Sequence, residues 1–428
     1  MSHAVRLRHL AQINPSTPAF DALLDEDELT FLPMEAVWPG SRLDISQRRT
    51  KSSVTTGYTR FQDGDVLIPK ITPTFEAGRS VLIQGLYGGV GAGTTEIHVV
   101  RPGNEIDPRF LLYTVNTHSF LKLGKAEMYG VAGQQRVPDE FLRDLRVQLP
   151  PLEEQRRIAD YLDTETARID RLAMKRHEQI AALSERELAI IGNALSGGAT
   201  RIDGQPTGWP WLPRIPANWK IGPVYAYFST ELGKMLNADR ATGQNQQPYL
   251  RNANVHWYEI NTSDMATMHF ELGEEKRYSV HRGDLLVCEG GAGVAEAAVW
   301  DGRIKECYFQ KSLHRVRQAG PLPVEWLMYW LRFAKSCGVF NADGNIATIP
   351  HLTGEQLRQY RIPVPLDGQT IVANVSRAIR DISTLRNRLR QAQKLVAERR
   401  RALITAAVSG QFDVTTASRR NVTEGVSA

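Results

Sequence analysis

Cysteine is scarce, with three in 428 residues. Cys288, Cys307 and Cys337 are odd in number and widely spaced, which fits neither a disulfide framework nor a zinc site. A reducing cytoplasm is the expected location. No run of 18 apolar residues occurs, so no membrane-spanning helix is expected. The opening Met-Ser-His-Ala-Val-Arg-Leu-Arg lacks the apolar stretch of a signal peptide. A phosphate-binding loop needs Gly-Lys followed by Ser or Thr, yet Gly124-Lys125 precedes Ala126 and Gly233-Lys234 precedes Met235. His177-Glu178 has no second His four residues on, so it is no zinc-peptidase motif.

What is present reads as globular. Hydrophobic residues make up 42% and charged ones 23%, near the averages for folded domains. The length calls for more than one core. The net charge of +5 is uneven: residues 364–428 carry 11 Lys+Arg against 5 Asp+Glu, and the rest is close to balance. A pI near 9.0 permits nucleic-acid binding without demanding it.

The chain repeats itself, which decides the expected architecture. Gly64-Asp65-Val66-Leu67-Ile68 returns as Gly283-Asp284-Leu285-Leu286-Val287. Phe110-Leu111-Leu112-Tyr113 returns as Trp326-Leu327-Met328-Tyr329. Leu149-Pro150-Pro151-Leu152 with Gln155 returns as Val364-Pro365-Leu366 with Gln369, and Ala194-Leu195-Ser196-Gly197 as Ala407-Val408-Ser409-Gly410. The offset drifts from 219 to 213, in order, which indicates two copies of one unit. Each copy starts with short Gly- and Pro-punctuated runs that predict strands and loops. Each ends in a breaker-free stretch that predicts a long helix. In the second helix Ile382, Leu389, Val396 and Leu403 step by seven, with Leu385, Ala392 and Ala406 on the alternate seam. The first presents Ile169, Leu183 and Ile190, with Leu172 on its second seam, interrupted by Arg176 and Arg186, as Arg399 interrupts the other. This is a coiled-coil period. About 38 residues give a rod of roughly 57 Å. Either the two helices pack on one another, antiparallel, or each packs on its own globular part.

The predicted fold is therefore mixed α/β (α+β): two globular parts joined by two long helices forming an antiparallel coiled coil, with pseudo-two-fold symmetry. Boundaries are expected at 1–149 (first globular domain), 150–198 (first spacer helix), 199–363 (linker and second domain), 364–412 (second spacer helix) and 413–428 (flexible tail). Seven of the eight Trp residues lie between 209 and 330, where core packing is the expected role, with Trp209, Trp211 and Trp219 tying the linker to the second domain.

At this level the chain resembles the specificity subunits of type I restriction–modification systems, over nearly its whole length. Leu149-Pro150-Pro151-Leu152-Glu153-Glu154-Gln155, followed by Ile158 and Leu162, looks like that family's junction between a target-recognition domain and a spacer helix. The second junction, Pro363-Val364-Pro365-Leu366-Asp367-Gly368-Gln369, departs from it with Asp-Gly for Glu-Glu. Gly64 to Glu76 with Gly89 to Pro102 looks like one recognition-domain subtype; Tyr249 to Val255 with Gly283 to Gly291 looks like another. The resemblance implies a non-catalytic reader of a bipartite, asymmetric site in double-stranded DNA. It implies two modification (methyltransferase) subunits docked on the chain and restriction (motor-nuclease) subunits joining them. S-adenosylmethionine, and ATP with Mg2+ for restriction, are then expected on the partners, with no cofactor or metal on this chain and no membrane. In keeping with that, the Asn/Asp-Pro-Pro-aromatic grip of an adenine methyltransferase is missing: Pro150-Pro151 is flanked by leucines.

Reading bases requires bidentate donors, and phosphate contacts require Lys, Arg and hydroxyls. The candidates are Arg48, Arg49 and Lys51 in a hydroxyl-rich basic loop, Lys70 and Arg79 around Thr72-Pro73-Thr74, and Gln134, Gln135 and Arg136. In the second copy they are Lys234, Arg240, Arg251, Asn252, Lys311 and Arg315. Two alternatives stand beside this reading. One is a stand-alone metal-dependent nuclease using Glu274 and Lys276, with Asp264 upstream; the other is a coiled-coil adaptor that binds no DNA.

Overall fold

A computed structural model of the chain describes residues 3–38, 42–131, 133–198, 204–235, 246–271, 273–340 and 351–414. They divide into two compact units, residues 1–178 with 389–428 and residues 179–388. The two long helices, Leu152–Ser196 and Gly368–Val408, each contribute one half to each unit.

In the first unit a four-stranded sheet runs Arg48–Thr50, Glu28–Leu32, Val90–Gly93, Thr59–Gln62 in spatial order, and a second runs Ala11–Ile13, Ile97–Pro102, Val66–Pro69, Val81–Leu82. The central strands Val66–Pro69 and Ile97–Val100 are buried at every residue, as near-continuous apolar runs are when both faces are covered. Val90–Gly93 lies parallel to Glu28–Leu32, with Gly91 opposite Thr30. A Cβ on Gly91 would come within 2.3 Å of the Phe61 ring, so this close approach requires glycine. His3–Arg6 pairs antiparallel with Arg146–Leu149. Pro150 and Pro151 then end the strand, and Glu153 and Glu154 in the next helix's first turn complement its positive end.

The second unit repeats this plan. Its four-stranded sheet runs Phe228–Leu232, Leu313–Gln318, Leu285–Cys288, Ala297–Val299, and a three-stranded one runs Ala266–His269, Gln246–Leu250, Tyr308–Phe309. The parallel pair recurs, Tyr249 opposite Tyr308. So does the junction pair, with Lys220–Pro223 antiparallel to Arg361–Val364. The departure Asp367-Gly368 has a local purpose: the Asp367 carboxylate accepts from the Thr370 N–H at 3.2 Å and caps the second long helix. Trp209 stacks on Trp211, Trp211 meets Trp330 edge-on, and Trp219 meets Trp326.

The long helices run antiparallel within each unit. In the first, the Tyr161 ring meets Phe412 and Asp170 pairs with Arg400 at 3.2 Å, so one number rises as the other falls. In the second, Glu187 pairs with Arg386 while Ala194 faces Val375 across a shallow cavity. Both arrangements foreseen for the helices occur together. Ile158, Leu162 and Ile169 share one core with Leu403, Ile404, Ala407 and the globular residues Phe110, Phe120 and Val147. Ile191 and Leu195 share another with Val372, Val375, Ile379 and the globular residues Trp326 and Trp330. The seven-residue seam is unevenly covered. Ile169, Ile382 and Leu403 are buried, whereas Leu183, Ile190, Leu389 and Val396 are half-buried. Leu172 and Leu385 are 43% and 47% exposed, because two helices alone close over a stripe less well than helices backed by a globular part. The buried charge on the first helix is Glu187, not its neighbour Arg186, which is exposed. Of the predicted tail, residues 415–428 lie outside the described residues.

Candidate nucleic-acid interface

A turn and a histidine hold the same place in both units. Gly64, at φ +91°, and Gly283, at φ +93°, adopt a backbone that only glycine tolerates freely. The aspartate after each is buried. Asp65 accepts from the Gln62 N–H and takes both Nε and Nη2 of Arg101, at 2.8 and 2.9 Å. Asp284 accepts from the His281 N–H and takes the same two nitrogens of Arg317, at 2.6 and 2.9 Å. On the strand of each arginine, His98 Nε2 meets the Val137 carbonyl at 3.0 Å and His314 Nε2 meets that of Leu352 at 2.8 Å. Burial pushes the His98 imidazole down to about 4 and lowers His314 as well, and His98 Nδ1 lies 3.1 Å from the Asp139 carboxylate. The Val137 N–H donates to the Lys70 carbonyl, and the Leu352 N–H to that of Glu289.

Around this shared frame the solvent-facing polar residues differ. In the first unit Lys70, Thr95, Glu96, Tyr129, Arg136 and Asp139 line a cavity of about 440 Å³. Arg136 donates Nε and Nη2 to the two Glu96 oxygens at 2.9 and 2.6 Å. That pairing holds the Glu96 carboxyl below its usual range, and Lys70 adds to the effect. Lys70 itself makes no ion pair within 4 Å among the described residues. In the second unit the places of Lys70, Glu96 and Arg136 fall to Glu289, Ser312 and His351. His351 Nε2 lies 3.3 Å from the Glu289 carboxylate, and an isolated bridge joins Gly290 to His351 as one joins Ile71 to Arg136.

The remaining candidates divide by exposure. Arg48 is exposed and stacks on the Tyr87 ring at 4.0 Å. Arg49 is exposed, lies 3.7 Å over the Phe31 ring and donates to Tyr58 Oη. Lys51 folds inward onto the Asp21 and Leu23 carbonyls. Arg79 is half-buried, with an Nε that has no partner. Gln134 is exposed and Gln135 half-buried. Arg251 pairs with Asp264 at 2.7 Å, Asn252 donates to the Gly290 carbonyl, and Lys311 is exposed. Arg240 lies outside the described residues.

Lys234 and Arg315 depart from the expectation. Lys234 is 1% exposed, donates to the His269 carbonyl and pairs with Glu274. Arg315 is 8% exposed, donates to the carbonyls of Arg277 and Ser279, and burial lowers its proton affinity. Both cations tie loops together and face away from solvent. The same contacts bear on the nuclease alternative: Lys234 occupies the Glu274 carboxylate and Arg251 the Asp264 carboxylate. No group of three or more His, Cys, Asp or Glu side chains is gathered as a metal site among the described residues.

Residue-by-residue reading of charge missed His98, Glu96, Glu289 and His351. One signal pointed to the frame: His98-Val99-Val100-Arg101 returns as His314-Arg315-Val316-Arg317.

Residues 50–182 match the family model described as the type I restriction modification DNA specificity domain. Two curated relatives from Escherichia coli match over part of the chain. The specificity subunit of the type I restriction enzyme EcoEI is 39% identical over 158 residues, 36% of this chain and 26% of that protein. The corresponding EcoAI subunit is 40% identical over 156 residues, with the same shares. The match thus spans about a quarter of either relative's length. Among solved structures, one chain from a type I restriction–modification system, studied for complex assembly and conformational transition, shares the fold. It has a TM-score of 0.69 at 18% identity, covering 95% of this chain and 97% of that one.

Proposed function

We propose that this chain is the DNA sequence-specificity subunit of a type I restriction–modification complex. It is a non-catalytic reader of a bipartite, asymmetric duplex site. Its duplicated recognition units each read one half-site, and its long helices provide the surface on which modification and restriction subunits assemble. S-adenosylmethionine, ATP and Mg2+ serve the partner subunits. The observation that carries this reading is the repeated frame bearing unlike polar residues: Asp65–Arg101 with His98 in one unit, Asp284–Arg317 with His314 in the other, and Lys70, Glu96 and Arg136 set against Glu289, Ser312 and His351. One frame with two sets of side chains is what reading two different half-sites requires. The similarity of residues 50–182 to the specificity domain supports it. Arg48 and Arg49, stacked on aromatic rings at the surface, are positioned for phosphate contacts.

The test is selection from a randomised duplex library by the chain together with its modification subunits, followed by mapping of methylated adenines. Enrichment of one split sequence is expected, with affinity falling steeply as salt rises and no methylation by the chain alone. Equal retention of all duplexes, or Mg2+-dependent cutting by the purified chain, would overturn it.

A further inference from the structure

We infer that the polar residues beside each buried histidine, which in the first unit line the cavity of about 440 Å³, form the base-reading site of that unit, the first taking an acceptor edge (guanine O6 and N7) and the second a donor edge (cytosine N4 or adenine N6). This rests on the function proposed above and adds to it the chemistry of each half-site.

The argument starts from the Arg136 guanidinium. Glu96 engages Nε and Nη2, one edge of the planar fork. The outer edge, Nη1 with the second hydrogen of Nη2, is left pointing away from its buttress. Two parallel N–H donors on a fixed plane match the two acceptors of guanine in the major groove. The backbone is fixed as well: the Arg136 N–H donates to the Tyr129 carbonyl at 2.9 Å and the Tyr129 N–H returns to the Arg136 carbonyl at 3.1 Å. The Arg136 side chain is 41% exposed and that of Glu96 27%, so the fork reaches solvent while its support sits behind it. Lys70 adds a second positive donor on the same cavity wall. Tyr129, 62% exposed, flanks it with an aromatic face.

The second unit keeps the frame and reverses the sign. Where Lys70 stands, Glu289 presents a carboxylate whose side chain is 16% exposed, backed by His351 at 3.3 Å. Ser312 replaces Glu96, so no carboxylate buttresses an arginine, and His351 replaces the arginine itself. Nearby, Asn252 donates its amide to the Gly290 carbonyl and its Oδ1 is buried, which leaves Glu289 as the acceptor at this place. A carboxylate accepts and cannot donate, which selects bases that display an amino group.

The experiment uses the chain assembled with its modification subunits and the randomised duplex library, comparing wild type with Arg136→Gln, Arg136→Lys and Glu289→Ala. Wild type is expected to select at least one guanine in one half-site and an amino-bearing base in the other; the library decides between cytosine and adenine. Arg136→Gln, and Arg136→Lys, which keeps the charge but loses the fork, should each lower the guanine preference roughly tenfold to a hundredfold and leave the other half-site unchanged. Glu289→Ala, which removes the acceptor, should lower the preference for the amino-bearing base and leave the guanine half-site unchanged. Wild-type selection of a split sequence that all three variants reproduce would overturn this inference and leave the proposed function intact. A wild-type complex that selects no sequence would overturn both.

Discussion

The two units keep the same bones and differ in how they hold the helices. In the first, attachment is spread over a partly wet surface: Arg109 bridges Asp160 and Asp163 at 2.7 and 2.8 Å, Tyr113 donates to Asp163 at 2.6 Å, and Arg400 meets Asp170. In the second the ion pairs converge on one carboxylate, and Tyr329 separately shares a hydrogen bond with Ser376 of the second long helix at 2.7 Å. Glu187, 1% exposed, receives Arg332 from the globular part, Arg386 from the other helix and the Tyr258 hydroxyl. Burial opposes its ionisation, but the two arginines outweigh that and hold it below the usual carboxylate range. The difference shows that a duplicated fold can preserve an interface while changing which residue carries it. At the repeat offset of 213, Glu187 stands opposite Arg400, so the charge at that position has changed sign.

The strongest way to break the comparison is at the part both units share. Arg101→Ala leaves Asp65 buried and unpaired, and Arg317→Ala does the same to Asp284; each should destabilise its own unit by about 3–5 kcal/mol. Hydrogen exchange on Val66–Pro69 and Leu285–Cys288 reads each unit separately, and equal losses are expected. A loss confined to one unit would show the repeated pair to be unequal in weight. The next effect should be asymmetric. Glu187→Ala strands two arginines that are 20% and 16% exposed and should cost about 3 kcal/mol. Arg400→Ala at the matching place removes a partly exposed pair and should cost about 1 kcal/mol or less. Similar losses in denaturant midpoint for the two variants would remove the distinction.

Much of the frame was legible in the chain. The repeat, the strand runs and both long helices follow from apolar period and breaker placement, which are local properties. The polar site was legible only in part, for a physical reason. A lysine in a loop has the same local signature whether it faces water, as Lys311 does, or is buried against a half-buried carboxylate, as Lys234 is. The partner settles the matter, and Glu274 lies 40 residues away. Glu96 and Arg136 are likewise 40 residues apart. The helix seam misled in the same way: Arg186 and Glu187 are adjacent, and Arg332 and Tyr258, both far along the chain, decide which of them is buried.

Acid sharpens the comparison next. Burial holds the folded pKa values of His98 and His314 below that of the free imidazole. Protons therefore bind the unfolded chain first as pH falls, and stability is lost. For His98 the loss starts as pH drops below about 6.5 and is complete near 4, worth at most about 3 kcal/mol. A His98→Gln variant should flatten that part of the first unit's stability profile. Unchanged acid sensitivity would assign the effect to other groups.

The smallest predicted difference tests the junctions. Gln155 and Gln369 correspond in sequence but not in role. Gln155 is fully buried at the start of the first helix, accepts from the Asp107 N–H at 2.8 Å and donates to the carbonyls of Glu105 and Pro150 at 3.0 and 2.9 Å. Gln369 is exposed. Gly368 lies one residue before it, where a Cβ would come within 3.0 Å of Leu322, so the second helix approaches its globular part too closely to need a bridging amide. Gln155→Ala orphans up to three backbone groups and should cost about 1–3 kcal/mol, whereas Gln369→Ala should stay within about 0.5 kcal/mol of wild type. If chemical denaturation finds the two variants alike, the junctions are held by their helices and strands alone, and the amide is incidental to how either spacer leaves its domain.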